Sequence, residues 1–150
     1  MSRRVRHLVA RFREMGLPVT TEDDDARFAA RILSTTEMRL WASMDAFDRR
    51  HSVDVTRRFI AQLPGASRDE TAAALLHDVG KSAVRLGRIG RSIATLVPLT
   101  ATMRRYRNHE RIGADMLRDA GVNGRTIELV SGATNDEVAR RIRSADDGDG

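Results

Sequence analysis

The sequence has no cysteine, only three prolines and few aromatic residues: one Trp, one Tyr and four Phe. Disulfides and thiolate metal sites are therefore excluded, and any metal must be held by imidazole and carboxylate groups. No apolar run approaches the ~20 residues of a membrane helix, and the basic N-terminus lacks the apolar segment of a signal peptide. We therefore expect a cytoplasmic protein without a membrane partner; the sequence does not indicate its oligomeric state.

The basic side chains are almost all arginine, and Lys81 is the single lysine. The formal net charge of +5 would suit anionic partners such as nucleotides or nucleic acid. Acidic residues are interspersed among the arginines, however, which predicts a solvated surface of mixed charge rather than nucleic-acid binding. The scarcity of aromatics also argues against stacking platforms for single strands. Lys81 is a compact point charge three residues after Asp78, which makes it a candidate functional residue.

Helical periodicity covers most of the chain, and alternating strand patterns are absent. Ser34 with Glu37 and Ser67 with Glu70 are typical of capping boxes. The predicted helices cover 3–15, 22–33, a short segment after Ser34, 45–63, the segment after Ser67 as far as the His77-Asp78 doublet, 82–103 in one or two pieces, 105–120, 124–132 and 135–145. We expect an all-α single domain, with 1–44 as a helical extension packed on a 45–147 core and 148–150 as a frayed tail. The basic segment 3–15 could instead be a membrane-surface or nucleic-acid arm.

Three of the four histidines lie on predicted inner helical faces, whereas His7 has no assigned role. His77 follows a buried Ala/Leu helix directly, and Asp78 is adjacent to it. His51 and His109 each belong to a row of apolar residues at helical spacing: Phe47, His51, Val55 and Phe59, and His109, Ile112, Met116 and Ala120. A single core histidine is usually satisfied by a hydrogen bond. Three imidazoles with a carboxylate are better explained by one shared cation, because buried polar groups are costly unless paired.

Neighbouring residues on a regular helix point ~100° apart, so His77 and Asp78 can bind one ion only where the backbone bends. Gly80 is predicted to supply that bend. A fourth ligand is expected from the C-terminal region, and Asp146, at the end of an apolar-faced helix, is the best candidate. Two other aspartates are weaker alternatives: Asp147 and Asp136.

At these residues the chain resembles the HD superfamily of metal-dependent phosphohydrolases. The segment Leu75-Leu76-His77-Asp78-Val79-Gly80-Lys81 is similar to the His-Asp-x-Gly-Lys form of the HD-GYP subgroup, and the resemblance covers about 45–147. It implies an HD-type helical bundle that holds a divalent metal: Mn, Fe, Co, Ni or Mg. The implied ligands are His51, His77, Asp78 and Asp146. It further implies that Lys81 contacts the substrate phosphate and that His109 serves a second metal.

The sequence also departs from those relatives. Where HD-GYP proteins carry a histidine pair, it has Gly132-Ala133-Thr134-Asn135, and the Gly-Tyr-Pro signature is missing. The Glu-x-x-x-x-Asp arrangement of small HD nucleotidases is absent as well, because the stretch 82–91 contains no acidic residue. These departures argue against a complete binuclear site and against cyclic-di-GMP hydrolysis.

The expected chemistry is attack on phosphorus by a water that the metal has acidified. Asp78 is the candidate base, and Lys81 would offset charge on the phosphoryl oxygens. His109 would steady the leaving group or bind a weak second ion. Arg105 is either a phosphate contact or surface charge. Asp54, one turn after the first histidine, is either its outer-shell partner or an exposed acid.

Three hypotheses follow for the function. The first is a phosphohydrolase acting on a nucleotide or another small phosphate ester. The second is a degenerate HD module that binds metal or ligand as a sensor or scaffold without turnover. The third is a basic helical protein that binds nucleic acid, whose affinity would fall steeply with salt.

Overall fold

The computed structural model describes residues 22–82 and 100–148, with the side chains of 22–82 and 109–148. Within these ranges the chain is all-α, as predicted, and forms no β-strand. Its helices are α1 (Glu22–Ala30), α2 (Thr35–Ala42), α3 (Ala46–Gln62), α4 (Arg68–Leu76), α5 (Thr100–Asp119), α6 (Gly124–Val130) and α7 (Glu137–Asp147). The helix predicted over 3–15 and most of the segment 82–103 lie outside the described residues. None of the described helices has the length and apolar content needed to cross a bilayer.

Several predicted helix starts are present because a local side chain caps them. Both predicted capping boxes are present, with Ser34 and Glu37 before α2 and Ser67 and Glu70 before α4. In each box the serine hydroxyl accepts from the glutamate N–H at 3.3 Å, and the glutamate carboxylate accepts from the serine N–H at 2.8 Å. Asp45 caps α3 by accepting from the Asp48 N–H at 2.8 Å. Asn123 caps α6 in the same manner, accepting from the Arg125 N–H.

The C-terminal helix begins and ends two residues later than the predicted 135–145. Asp136 is its N-cap, accepting from the Ala139 N–H at 2.9 Å, and Gly148 closes it in the left-handed conformation with φ 80°. Asp146 therefore lies in the last turn of α7 rather than after it. Asp136, an alternative ligand in the sequence analysis, is a helix cap instead.

Gly80 does not make the predicted bend. The break falls at the His77-Asp78 doublet itself, after which 79–82 are helical again. The φ of Gly80 is not positive; among the described glycines only Gly121, Gly132 and Gly148 have positive φ. A Cβ at Gly80 would lie 1.9 Å from the His109 carbonyl oxygen. The glycine is therefore needed where α5 crosses the segment after the doublet.

Helices α3 and α4 form the centre of the bundle. Helix α3 packs against α1, α4 and α7, and α4 also packs against α2 and α6, which in turn contacts α5. The α4 residues 71–76 are all buried, as are Val55 and Phe59 on α3. Burying each large apolar side chain stabilises the fold by roughly 1.5–3 kcal/mol. The proposed boundary between 44 and 45 stays a prediction.

Candidate metal centre

His77, at the C-terminal end of α4, carries an imidazole that is more buried than that of His51. Its Nδ1 lies 2.8 Å from the Ala74 carbonyl oxygen. A carbonyl can only accept, so Nδ1 carries a hydrogen and Nε2 is left to face the interior. Nε2 is buried without a hydrogen-bond partner among the described residues. It lies 3.4 Å from Asp78 Oδ2 and 3.4 Å from Asp146 Oδ1, which makes it a suitable position for a cation.

His51 and Asp146 join α3 to α7 beside this nitrogen. His51 Nε2 donates to Asp146 Oδ1 at 2.7 Å, across 95 residues of chain. The end of α7 is held further by Arg58, whose Nε donates to the Ala145 carbonyl at 2.8 Å. The imidazoles of His51 and His77 meet edge to face, with ring centroids 5.8 Å apart. Packing of α3 on α7 thus brings the C-terminal aspartate to both imidazoles.

His51, His77 and Asp78 form a cluster that could hold a metal ion. Each offers one ligand atom, and the three atoms all lie within 4.8 Å of one another. Ligands on opposite sides of an ion bound at about 2.0–2.2 Å are at most about 4.4 Å apart. Ligand atoms that are the full 4.8 Å apart would therefore have to approach each other slightly to bind one ion. Asp146 borders this cluster through its contacts to both imidazoles.

Asp78 connects the cluster to two further polar groups. Its side chain is 4% exposed, and Oδ2 accepts from the ammonium of Lys81 at 2.6 Å. The other oxygen, Oδ1, lies 4.0 Å from Nε2 of the buried His109. The carboxylate thus has His77 and Lys81 on one oxygen and His109 on the other.

The charges of these groups depend on each other. Burial disfavours a charged His77, but the carboxylates of Asp146 and Asp78 outweigh burial and raise the pKa of this imidazole. The contacts with His51 and then His77 hold the pKa of Asp146 well below its ordinary value. Burial also opposes the charge on Lys81, yet Asp78 raises the pKa of that lysine. The carboxylates of Asp78 and Asp146 therefore favour a positive charge at Nε2 of His77, either a proton or a metal cation.

Asp48 is a buried acid near the site that the sequence analysis did not identify. It lies in the first turn of α3, three residues before His51, and it is 4% exposed. Burial raises the pKa of Asp48, and the charges of Lys81 and Asp78 act on it as well. Its spacing from His51 places both on one helical face, which is the signal that could have identified it.

The sequence also singles out Asp54, Arg105 and Asp147 as site residues. Asp147 is exposed, unlike its neighbour Asp146. Asp54 is half-buried beside arginines, with Oδ1 4.0 Å from Arg57 Nη1, and burial raises the pKa of this carboxyl. Arg105 lies on α5, but its side chain is outside the described part.

The predicted inner row of α3 is correct only in part. Val55 and Phe59 are fully buried, whereas Phe47 is 66% exposed. His51 lies between these extremes, with 30% of its side chain exposed. The row therefore runs from the core to the surface, and His51 is partly exposed rather than in the interior.

Similarity to known proteins does not assign a family or a function to this chain. Comparisons of the chain with protein-family models, with curated proteins and with solved structures found no match. The functional conclusion therefore depends on the chemistry of the cluster formed by His51, His77 and Asp78, with Asp146 at its border.

Proposed function

We propose that this chain is a metal-dependent phosphohydrolase of the HD type, acting on a nucleotide or another small phosphate ester. One observation carries the proposal: the buried Nε2 of His77 has no hydrogen-bond partner among the residues described and lies 3.4 Å from two carboxylates. A buried imidazole nitrogen in such surroundings suits a metal ligand. The single lysine, Lys81, adjoins the same carboxylate and supports phosphate as the substrate group.

The donor set fits a divalent cation. Two imidazoles with carboxylate oxygens suit borderline or hard ions such as Mn, Fe, Co, Ni or Mg. We assign His51, His77, Asp78 and Asp146 as the residues that would hold it. When bound, the cation supplies Lewis acidity, which polarises a phosphoryl oxygen and acidifies the attacking water.

The side chains around the cluster account for the proton and charge transfers of hydrolysis. As the water oxygen bonds to phosphorus, Asp78 accepts the water proton and the bond from phosphorus to the leaving oxygen breaks. Lys81, 37% exposed at the border between the carboxylate and solvent, offsets charge on the phosphoryl oxygens. His109, 4.0 Å from Asp78, is our candidate for the group that steadies the leaving oxygen.

The alternative is a metal- or ligand-binding regulatory module without turnover. Two observations favour it. The ammonium of Lys81 engages the same Asp78 oxygen that faces His77, so it competes for a ligand atom. The segment 132–135 also lacks the histidine pair that HD-GYP relatives use.

Metal content and turnover distinguish the two functions. Protein loaded with Mn²⁺ should hydrolyse members of a panel of nucleoside monophosphates and simple phosphate esters. Lys81→Ala should keep its metal and lose about 10²–10³ in rate, as when one charge-stabilising donor is removed. Asp78→Asn should lose metal and turnover, whereas the exposed control Asp147→Asn should resemble the wild type. Metal binding without turnover across the panel supports the regulatory module; metal and turnover unaffected in Asp78→Asn would refute both.

A further inference from the structure

A cavity of about 230 Å³ lies between α1, α2 and the start of α3. The residues that line it are Glu22 and Asp25 of α1, Trp41 of α2, and Ala46, Arg49 and Arg50 of α3. The four assigned metal ligands are not among them, so the cavity is a second site. Pockets for drug-sized ligands measure about 300–1,000 Å³. This cavity is therefore suited to a smaller molecule.

Arg49 is held in a fixed orientation at this cavity. Its Nη1 donates to the Met44 carbonyl oxygen at 2.7 Å and to the Ala42 carbonyl oxygen at 3.3 Å. The guanidinium carbon lies 5.8 Å from the centroid of the Trp41 ring, which is within the range of a cation–π contact. None of these contacts involves an acid. The guanidinium is therefore oriented independently of the carboxylate that its other terminal nitrogen binds.

The carboxylate on that other nitrogen belongs to Glu22. Arg49 Nη2 donates to Glu22 Oε1, and the side chain of the glutamate is 69% exposed, compared with 20% for the arginine. An ion pair with so exposed a partner contributes little to stability, because water solvates the free carboxylate well. A carboxylate from solution can therefore replace that of Glu22 and leave the other contacts of Arg49 in place.

Other arginines of the chain bind acids that are harder to replace. Arg50 Nε donates at 2.7 Å to Asp25, whose side chain is only 3% exposed. Arg125 donates to three acids: Glu70, Glu128 and Asp136. Arg49 combines backbone anchoring, a cavity and a single exposed acid, which is the combination that a ligand site requires.

We propose that this cavity binds a small carboxylate molecule, whose carboxylate takes the place of Glu22 on Arg49 and whose apolar part contacts Trp41 and Ala46. A singly charged ligand is favoured over a phosphate dianion, because the buried carboxylate of Asp25 also lines the cavity and repels further negative charge. Exchange of one carboxylate for another leaves the local charge unchanged. The inference does not depend on the proposed phosphohydrolase function.

Trp41 is the only tryptophan in the chain, so its fluorescence reports directly on this cavity. The test titrates the metal-stripped full chain at constant ionic strength with propionate, which matches the glutamate side chain, and with neutral propionamide. We expect a saturable change with propionate and none with propionamide. Glu22→Gln should bind propionate about 1.5- to 5-fold more tightly, which is the equivalent of one exposed ion pair. Arg49→Met should bind it about 10- to 100-fold more weakly, as expected for a lost hydrogen bond between charged groups.

Asp115→Asn is the matched control for Glu22→Gln. It removes another exposed acid, which pairs with Arg118 at 2.6 Å and does not line the cavity. Propionate should bind this variant as it binds the wild type. Circular dichroism shows whether Arg49→Met folds; if it does not, Glu22→Gln decides, because its side chain is exposed and its loss leaves the core intact.

Several results would overturn the inference. They are the absence of a saturable propionate response in both the wild type and Glu22→Gln, equal binding of propionamide, and tighter binding of inorganic phosphate than of propionate. Propionate affinity that is unchanged in Glu22→Gln or in folded Arg49→Met would also overturn it. An equal gain in Asp115→Asn would attribute the effect to net charge and would overturn it as well.

Discussion

At the scale of single residues, the candidate centre consists of charged groups arranged around the imidazole of His77. His77 donates through Nδ1 to Ala74 and turns Nε2 toward the carboxylates of Asp78 and Asp146. These carboxylates raise the pKa of His77 above the ordinary 6.5 despite its burial. A proton and a metal ion therefore compete for the same nitrogen.

This competition predicts how metal affinity depends on pH. Below the raised pKa of His77 each bound ion must displace a proton, so apparent affinity should rise up to about tenfold per pH unit and level off above that pKa. Calorimetric titrations with Mn²⁺ between pH 6 and pH 8.5, in buffers of different ionisation enthalpy, measure affinity and proton release together. Affinity that is constant from about pH 6 upward, with no proton released, would contradict the assignment of His77.

The same pKa shifts predict the stability of the protein without metal. The raised pKa of His77 contributes stability that is complete below 6.5 and is lost as pH rises through its folded value. The lowered pKa of Asp146 contributes stability that is present above 3.8 and is lost as pH falls toward its folded value. Urea denaturation should therefore show these contributions together between about pH 4 and pH 6.5, with the His77 contribution declining at higher pH. In His77→Gln that decline should disappear.

Residue types and spacing are enough to select most of the cluster from the sequence. Helical spacing and a family resemblance select His51, His77, Asp78 and Asp146 as a set, and the structure brings them together. Asp48 is harder to select, because an acid in a first helical turn is expected from the helix dipole alone. Its spacing from His51 is the one sequence signal, and in the folded chain its burial and the charges of Lys81 and Asp78 distinguish it from an ordinary helix start.

At the scale of secondary-structure elements, the sequence predicts where helices start but not where one helix passes close to another segment. The capping boxes at Ser34 and Ser67 involve residues three apart, so the sequence contains all of their determinants. The sequence predicts a bend at Gly80, whereas the role of this glycine depends on the path of α5, about 30 residues further along. The contact between α5 and this glycine holds His109 next to Asp78.

Gly80→Ala should therefore damage both the fold and the site. The added Cβ would meet the His109 carbonyl oxygen at 1.9 Å and the Gly113 nitrogen at 2.7 Å, and backbone atoms cannot rotate away. We expect a loss of about 3 kcal/mol in the free energy of unfolding, the upper end for overpacking. Chemical denaturation of metal-free protein measures this loss.

Gly124→Ala is the matched control. It lies in the first turn of α6, where an added Cβ would have no atom within 4 Å and the φ is not positive. Alanine should leave stability unchanged or increase it by up to about 1 kcal/mol through helix propensity. Equal effects of the two substitutions would show that α5 does not approach Gly80 closely.

At the scale of the whole molecule, the cluster ties distant parts of the chain together. His51 and Asp146 are 95 residues apart and belong to α3 and α7, while His77 and Asp78 follow α4. An all-α bundle was predictable from periodicity, but which helices meet depends on tertiary packing. A cation bound at their junction would stabilise the folded chain and not the unfolded one.

Metal should therefore raise the melting temperature. At 100 times the dissociation constant, linkage contributes about 2.7 kcal/mol, which corresponds to roughly 5–10 °C for a chain of this size. Differential scanning calorimetry with Mn²⁺ and with a chelator measures the shift. A shift of the same size in His51→Ala, whose side chain is partly exposed and can be replaced without emptying the core, would show that the metal acts elsewhere.

An equilibrium titration of metal-stripped protein with Mn²⁺ tests the proposed metal centre. We expect one ion per chain, with an affinity that falls in His77→Ala and in His51→Ala by more than the ~10–100-fold typical of losing an outer-shell partner. Circular dichroism confirms that each variant is folded, and Asp147→Asn should bind as the wild type does. Unchanged Mn²⁺ affinity in folded His77→Ala and His51→Ala, or no binding by the wild type, would contradict the proposed metal centre.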